Sequence, residues 1–230
     1  MNQVFMGFSA DLPGYLAALS AHNNREWFKA NQARYEETVR EPARALVRAL
    51  SGPLAELSVH LIADDRKVGG SLMWVQRDTR FSKDKTPYKT NVGIQLRHGA
   101  GKDAHAPAVY VHLELGDCFV GFGLWQPPPD ELARIRRFIV ENWDRYSAIV
   151  EAPAMKQHFT QHGDSLKRVP AGFDASHASA EAVKRRSFIA LRKLDFEVFQ
   201  RADAPEVITA LLADGREYLA FLCAAVGQPF

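Results

Sequence analysis

The chain has few cysteines and no long apolar run, and each absence excludes a class of protein. Its 230 residues include only Cys118 and Cys223, which cannot form the disulfide framework of a small secreted domain. The longest apolar run, Leu219–Val226, has eight residues, whereas a helix needs roughly 20 to cross a bilayer. The segment Met1–Asp11 lacks the basic start and apolar stretch of a secretory signal. The sequence therefore predicts a cytoplasmic protein with no membrane partner.

Three motifs that carry well-understood chemistry are also absent. The chain has no G-x-x-x-x-G-K-[ST] phosphate loop, no G-x-S-x-G nucleophile elbow and no H-E-x-x-H zinc helix. His158 and His162 are one helical turn apart, but no third zinc ligand accompanies them. The sequence predicts no metal site, and it specifies neither a cofactor nor an oligomeric state.

The distribution of charge is the first informative feature that is present. The whole chain has a net charge of +2, but residues 66–102 contain nine basic and two acidic side chains, so this basic segment carries +7. The remainder of the chain therefore sums to −5. A locally basic segment in a nearly neutral protein indicates a surface that binds anions. The alternative is a solvated loop whose lysines only keep the chain soluble.

The order of apolar patterns predicts an α+β fold. Helical spacing of apolar residues dominates the start of the chain and returns after residues 127–129. Between them, apolar residues alternate with small or polar ones around Val92–Leu96, Val109–Leu113 and Cys118–Leu124, as in half-buried strands. Gly116-Asp117 joins the last two of these strands as a hairpin. We therefore expect one domain, residues 1–230, with a mainly antiparallel central sheet flanked by N-terminal and C-terminal helices.

Local signals predict where several elements begin and end. Asn23, with Glu26 three residues later, has the pattern of an N-cap and capping box, so Asn23→Ala is expected to cost on the order of 1 kcal/mol. Pro42 and Gly52-Pro53 are expected to end or kink the helices in which they occur. The sequence further predicts a strand at Leu72–Gln76, one long helix from Leu132 to Tyr146, a strand at Phe188–Leu194, and a last helix that Asp203 caps.

The segment Arg77–Thr90, called the basic loop below, joins two predicted strands and is the strongest candidate for a functional site. Arginine offers a planar fork for phosphate or carboxylate, and lysine adds a point charge. Because the residue before a proline avoids helical geometry, Thr86-Pro87 predicts an ordered loop and no helix. The candidate ligand-binding residues of the loop are Arg77, Arg80, Lys83, Lys85, Tyr88 and Lys89.

Other candidate residues lie near the loop in sequence or are themselves basic. Asp78 could orient an arginine or act as a general base. His112 and Glu114 share one strand face, where an imidazole beside a carboxylate suits acid–base chemistry, although a polar outer sheet face is the simpler explanation for them. Lys184 and Arg186 precede a predicted strand and could complete an anion site, or they could lie at a solvated helix end.

Several of these segments together resemble one known family. The motifs are N-N-R-E-W-F at residues 23–28, R-D-T-R-F-S-K-D-K-T-P-Y-K-T at residues 77–90, Y-V-H-L-E-L-G at residues 110–116, F-V-G-F-G-L-W-Q-P at residues 119–127 and K-R-R-S-F at residues 184–188. They resemble the family catalogued as domain of unknown function 2461, over nearly the whole chain. The resemblance implies a single soluble domain of about this length, and it implies no particular activity, cofactor or catalytic residue. It favours a ligand-facing role for the basic loop.

Three hypotheses for function follow from the sequence. The first is a site that binds, or binds and transforms, a compact anionic small molecule such as a phosphorylated metabolite. The second is a surface for nucleic acid or another polyanion, which requires an extended basic face with accessible aromatic side chains. The third is an interaction scaffold without a pocket. The acidic residues within the basic loop favour a compact anion, because they would repel an extended phosphate backbone.

Overall fold

A computed structural model describes residues 4–100 and 106–230 of the chain. Lys102, the last member of the basic segment, lies outside the described residues, as does the start of the segment Met1–Asp11. The helices are α1 Asp11–Ala21, α2 Arg25–Ala30, α3 Gln32–Tyr35, α4 Glu41–Leu57, α5 Pro129–Glu141, α6 Trp143–Glu151, α7 Pro153–His158, α8 Ala180–Val183, α9 Phe196–Phe199, α10 Ala204–Asp214 and α11 Arg216–Ala225. The strands are β1 Leu61–Ile62, β2 Val92–His98, β3 Ala108–Glu114, β4 Asp117–Leu124, β5 Thr160–His162 and β6 Phe188–Lys193.

The strands form one antiparallel sheet in the order β1-β2-β3-β4-β6-β5, with helices on both sides. The predicted α+β class is therefore confirmed, as are the alternating patterns that mark β2, β3 and β4. Leu115-Gly116 forms the tip of the β3–β4 hairpin, because Glu114 and Asp117 are opposite each other. The short strands β1 and β5 have too few residues for a period-two pattern to be visible in the sequence.

The apolar residues of the strands build the core on one face of the sheet. Val111, Val120 and Phe122 are almost completely buried there. Gly215, between α10 and α11, lies directly on the Phe122 ring, and a Cβ at that position would be 2.1 Å from the ring edge. The helical pair α10 and α11 therefore approaches the sheet closely at a residue without a side chain. No helix within the described ranges is both long and apolar enough to cross a membrane.

The helical path does not end at either of the two prolines where the sequence predicts an end or a kink. Pro42 lies in the first turn of α4, directly after a π-helical turn at Glu36–Arg40, so the helical path from α3 continues into α4. Pro53 lies inside α4, which ends only at Leu57. The reason is tertiary packing: the leucine stripe of α4 is buried on both sides of Pro53, and that burial outweighs one missing backbone hydrogen bond.

Conversely, two regions predicted as single helices are each divided. The helix predicted from Leu132 to Tyr146 is broken at Asn142, whose side-chain amide and backbone N–H both donate to the Phe138 carbonyl oxygen. The C-terminal helix is broken at Gly215. Asp203 precedes α10 but caps it with no side-chain hydrogen bond, because its carboxylate pairs with Arg201. The predicted strand at Phe188–Leu194 is confirmed as β6, with its last residue at Lys193.

Candidate functional site

Two backbone hydrogen bonds join the two ends of the basic loop, and we call this paired region, residues 75–77 and 87–89, the neck of the loop. The Arg77 N–H donates to the Pro87 carbonyl oxygen at 2.8 Å, and the Lys89 N–H donates to the Val75 carbonyl oxygen at 2.7 Å. The segment before the loop is not the regular strand predicted at Leu72–Gln76, because only isolated bridges form at its two ends. The loop itself contains no helix, as its proline predicts.

A side-chain amide on the N-terminal helical region holds the loop in place. The Asn23 Nδ2 donates to the Tyr88 carbonyl oxygen at 2.9 Å, and the Asn23 Oδ1 accepts from the Tyr88 N–H at 3.0 Å. The prediction that Asn23 caps α2 is therefore wrong: the cap is Asn24, whose Oδ1 accepts from the Trp27 N–H at 2.9 Å. Asn23 is one residue too early for that bond, and its amide completes the backbone pairing of a segment 65 residues away.

The Tyr88 ring anchors the same end of the loop. It stacks on Phe28 of α2, with the ring centroids 4.1 Å apart and the planes 15° from parallel, and only 8% of Tyr88 is exposed. Aromatic contacts of this kind add to the stabilisation that burial alone provides. Tyr88 therefore connects the basic loop to the core, while its neighbours face the solvent side.

Most of the cationic side chains of the loop already have partners within the loop. Arg77 bonds the Asp84 carboxylate and the Thr86 hydroxyl, and the Arg80 guanidinium makes a forked pair with the Asp78 carboxylate. Lys85 donates to the Thr79 carbonyl oxygen at 2.8 Å. These bonds close the loop on itself and use the arginine forks that the sequence suggested for a ligand.

The same bonds argue against Asp78 as a general base. The hydrogen bond from Arg80 lowers the pKa of the Asp78 carboxyl below its ordinary value, and the carboxyl is fully exposed. The pKa of Asp84 is lowered to about 2, first by the Thr86 N–H and then by Arg77. The ideal general base has a pKa near the operating pH, so the lowered pKa values make both aspartates weak bases, and their observed contacts are those of ion-pair partners within the loop.

A polar cavity of about 420 Å³ lies between the neck of the loop, the end of α1 and the start of β2. It is lined by Ser20, Asn23, Arg77, Asp84, Thr86, Tyr88, Lys89, Thr90 and Asn91. Of the candidate ligand-binding residues, the structure brings Arg77, Tyr88 and Lys89 together here. Arg80, Lys83 and Lys85 are exposed and do not line the cavity.

Lys89 differs from the other cations of the loop because it both lines the cavity and lacks a partner. Neither Lys89 nor Lys83 makes a side-chain hydrogen bond or ion pair within the ranges 4–100 and 106–230, but Lys83 is exposed and lies outside the cavity, and Arg77 is paired with Asp84. Partial burial lowers the pKa of Lys89 below its ordinary value of 10.5. Removing an ammonium group from water without a partner costs free energy, so an anion in the cavity would compensate that cost.

His112 and Glu114 lie next to this cavity, in a row of polar side chains on β3. The His112 Nε2 is 3.2 Å from the Glu114 carboxylate, and its Nδ1 is 3.2 Å from the Tyr110 hydroxyl. The cavity-lining residues Thr90 and Asn91 contact the same row: the Thr90 hydroxyl donates to Glu114 at 3.3 Å, and the Asn91 amide is 3.4 Å from His112 Nδ1. We call Tyr110, His112 and Glu114 the polar row.

Lys184 and Arg186 do not lie near the cavity. Lys184 pairs with Glu181 of α8, and Arg186 is exposed just before β6. The register pairs the start of β6 with Leu124, at the opposite end of β4 from the turn beside Glu114. Those two ends are roughly 23 Å apart at the usual rise per strand residue. The structure therefore does not bring this basic pair to the cavity. No group of three or more His, Cys, Asp or Glu side chains within the described ranges is placed to hold a metal ion.

Comparison with known protein families identifies the family to which the chain belongs. The model of one family, described as conserved hypothetical protein (DUF2461), matches residues 12–221. The chain belongs to this family. The match covers the basic loop, the polar row and every residue that lines the cavity, and it confirms the family suggested by the motifs. No curated protein and no solved structure matches the chain.

The sequence missed two members of the cavity and the role of a third. Ser20 ends a helical turn and Asn91 stands directly before β2, and neither belongs to a charged or aromatic pattern. The sequence pattern singled out Asn23, but as the N-cap of α2 and not as part of the cavity. The adjacent pair Asn23-Asn24 was the available signal, because only one residue can cap the helix and the other then needs a different partner.

Proposed function

We propose that the protein binds a compact anionic small molecule in the cavity beside the basic loop. The proposed class of ligand is a phosphorylated metabolite, and the proposed location is the cytoplasm. The observation that carries the proposal is Lys89, a partly buried cation that lines a polar cavity and has no partner in the described ranges. Ligand sites are concave and carry a few convergent polar groups. Ser20, Thr86, Thr90 and Asn91 add neutral hydrogen-bonding groups around Lys89.

The charges around the cavity favour a small anion over a polymer. The lining contains two cations, Arg77 and Lys89, and one carboxylate, Asp84. Because Arg77 and Asp84 pair with each other, one positive charge remains uncompensated. One charge suits a single phosphate or carboxylate group. A polyanion needs an extended surface of uncompensated cations.

Binding of inorganic phosphate, measured by calorimetry at low ionic strength, tests the proposal. Wild-type protein is expected to bind phosphate, and Lys89→Met to lose at least about tenfold in affinity, since a hydrogen bond to a charged group contributes roughly 1.5–3 kcal/mol. Lys83→Met is the matched control, because it removes the same charge from an exposed position of the same loop that does not line the cavity. Equal losses of phosphate affinity in both variants, or no phosphate binding by the wild type, would refute the proposal that this cavity binds the anion.

A second candidate function is binding of single-stranded nucleic acid by the tip of the loop. Phe81 is 96% exposed, and the Arg80 guanidinium lies over its ring at 5.9 Å from the centroid. Lys83 and Lys85 are exposed beside it. An accessible aromatic ring among cations can stack on a base. This reading predicts binding of an oligonucleotide that weakens steeply with salt and is lost in Phe81→Ala, with no effect of Lys89→Met. If neither probe binds, the interaction scaffold is the hypothesis that is left.

A further inference from the structure

The polar row does not itself line the cavity, but it contacts two residues that do. Glu114 contacts the cavity through the Thr90 hydroxyl, and His112 contacts it through the Asn91 amide. The Phe119 ring stacks on His112, with centroids 4.7 Å apart and planes 17° from parallel, so the imidazole is held in one orientation. Side chains of one strand face thus form a fixed wall beside the part of the cavity that Thr90 and Asn91 line.

The hydrogen bonds within the polar row determine which of its groups can still bond a ligand. An ionised carboxylate only accepts, so the His112 Nε2 donates to Glu114. In the neutral imidazole the Nδ1 then accepts, with the Tyr110 hydroxyl and the Asn91 amide as the donors within reach. Each carboxylate oxygen of Glu114 then accepts one bond from the protein, Oε1 from Thr90 and Oε2 from His112. Because a carboxylate has about four acceptor sites, and 39% of the Glu114 side chain is exposed, it retains capacity for further donors.

The two ends of the site therefore have opposite chemistry. At Lys89 a partly buried cation needs an anion, and at Glu114 a partly exposed carboxylate needs neutral hydrogen-bond donors. A ligand with phosphate groups at both ends would place one of them against Glu114. A ligand with an alkyl chain at that end would leave the carboxylate and the Thr90 hydroxyl without additional bonds.

We propose that the ligand is a hydroxylated monophosphate, such as a polyol phosphate or a sugar phosphate, with its phosphate group at Lys89 and a hydroxyl group donating to Glu114. This inference rests on the proposed anion site and adds the chemistry of the rest of the ligand. Hydroxyl groups of such a ligand can also bond the side chains of Thr90 and Asn91, which line the cavity between the two ends.

A pair of ligands that differ only in hydroxyl groups tests the inference. Glycerol 3-phosphate and n-propyl phosphate carry the same phosphate and a chain of the same length, and inorganic phosphate serves as the reference. Wild-type protein is expected to bind glycerol 3-phosphate at least about tenfold more tightly than n-propyl phosphate, since a site built to bond a hydroxyl group discriminates against the analogue that lacks it. In Glu114→Ala this ratio should fall to near one, while the affinity for n-propyl phosphate stays within about threefold.

Asp117→Ala provides the matched control. Asp117 is opposite Glu114 in the β3–β4 register and is similarly exposed, but its carboxylate pairs with Lys193, whereas Glu114 bonds the cavity-lining residue Thr90. Its removal should leave the ratio unchanged. If Glu114→Ala fails to fold, Glu114→Met removes the carboxylate while it keeps the length of the side chain, and the ratio should fall again.

The outcomes separate the two proposals. If no phosphate compound binds, the anion site itself is wrong, and the hydroxyl proposal fails with it. If inorganic phosphate and n-propyl phosphate bind through Lys89 as tightly as glycerol 3-phosphate does, the anion site stands and the hydroxyl proposal is wrong. A ratio that falls equally in Asp117→Ala also overturns it, because a general loss of negative charge would then explain the effect.

Discussion

The Asn23 side chain forms a two-hydrogen-bond pair with the backbone of Tyr88, at 2.9 and 3.0 Å. An asparagine amide presents one donor and one acceptor side by side, as a neighbouring strand would. Asn23 therefore satisfies both backbone groups of Tyr88 at the point where the basic loop returns to the fold. It also lines the cavity, so the same residue fixes the position of the loop and part of the proposed site.

This pair predicts that Asn23→Ala and Asn24→Ala have different consequences. Asn23→Ala leaves two part-buried backbone groups without their partner, so it should lower the free energy of unfolding by about 1–3 kcal/mol. Asn24→Ala removes the helix cap and should cost about 1 kcal/mol. Only Asn23→Ala should also weaken phosphate binding. Chemical denaturation and calorimetry on both variants check this, and equal phosphate affinities would show that the loop does not depend on Asn23.

Lys89 predicts a trade-off between stability and binding. Its folded-state pKa is lowered by burial, so at neutral pH the protonated amine disfavours the folded state, and Lys89→Met should unfold at higher urea than the wild type. As the pH rises through the lowered pKa, the folded state releases this proton while the unfolded state keeps it up to about 10.5. Wild-type stability should therefore rise relative to Lys89→Met in that window.

Urea midpoints of both proteins between neutral pH and pH about 10.5 measure this difference. The gap should narrow with increasing pH, and phosphate affinity should fall over the same window because the ammonium charge is lost. A gap that widens with pH would mean that Lys89 has a stabilising partner in solution.

Gly93 predicts a steric coupling with Tyr110. A Cβ at Gly93 would lie 2.6 Å from the Tyr110 hydroxyl oxygen, so Gly93→Ala must displace the ring that bonds His112. The expected cost is about 1–3 kcal/mol. Tyr110→Phe removes the clashing oxygen, so the double variant should be more stable than the sum of the two single effects predicts. Additive effects in a denaturation cycle would show that the two positions do not touch.

The two cysteines are expected to be unreactive until the protein unfolds. Burial raises the pKa of the Cys223 thiol to about 12, and burial also raises the pKa of the Cys118 thiol. Because the thiolate is the reactive form, labelling by a thiol reagent at pH near 8 should be slow in the native state. Both thiols should react quickly in concentrated guanidinium. Rapid labelling of one thiol in native buffer would indicate local opening near that cysteine.

Sequence patterns located the basic loop but could not assign its charges. Arg77, Arg80 and Lys89 look alike in the sequence, as cations spaced through a polar segment. In the structure Arg77 and Arg80 are paired with aspartates of the same loop, and Lys89 lines the cavity unpaired within the described ranges. The loop conformation decides which acid reaches which arginine, and that conformation depends on Asn23 and Phe28, which lie outside the loop.

By itself the sequence determined the parts of the protein that depend on near neighbours in the chain. The spacing of apolar residues predicts strands β2, β3 and β4 and helix α1. Side chains on one face alternate along a strand, whereas they recur every three to four residues along a helix. Tertiary structure alone decided the rest. Helix α4 continues through Pro53 because buried leucines favour it. The cavity exists because Ser20 of α1, Asn23, the basic loop and Asn91 before β2 meet in space. Contacts such as Asn23 with Tyr88 join positions 65 residues apart, where no local periodicity reaches.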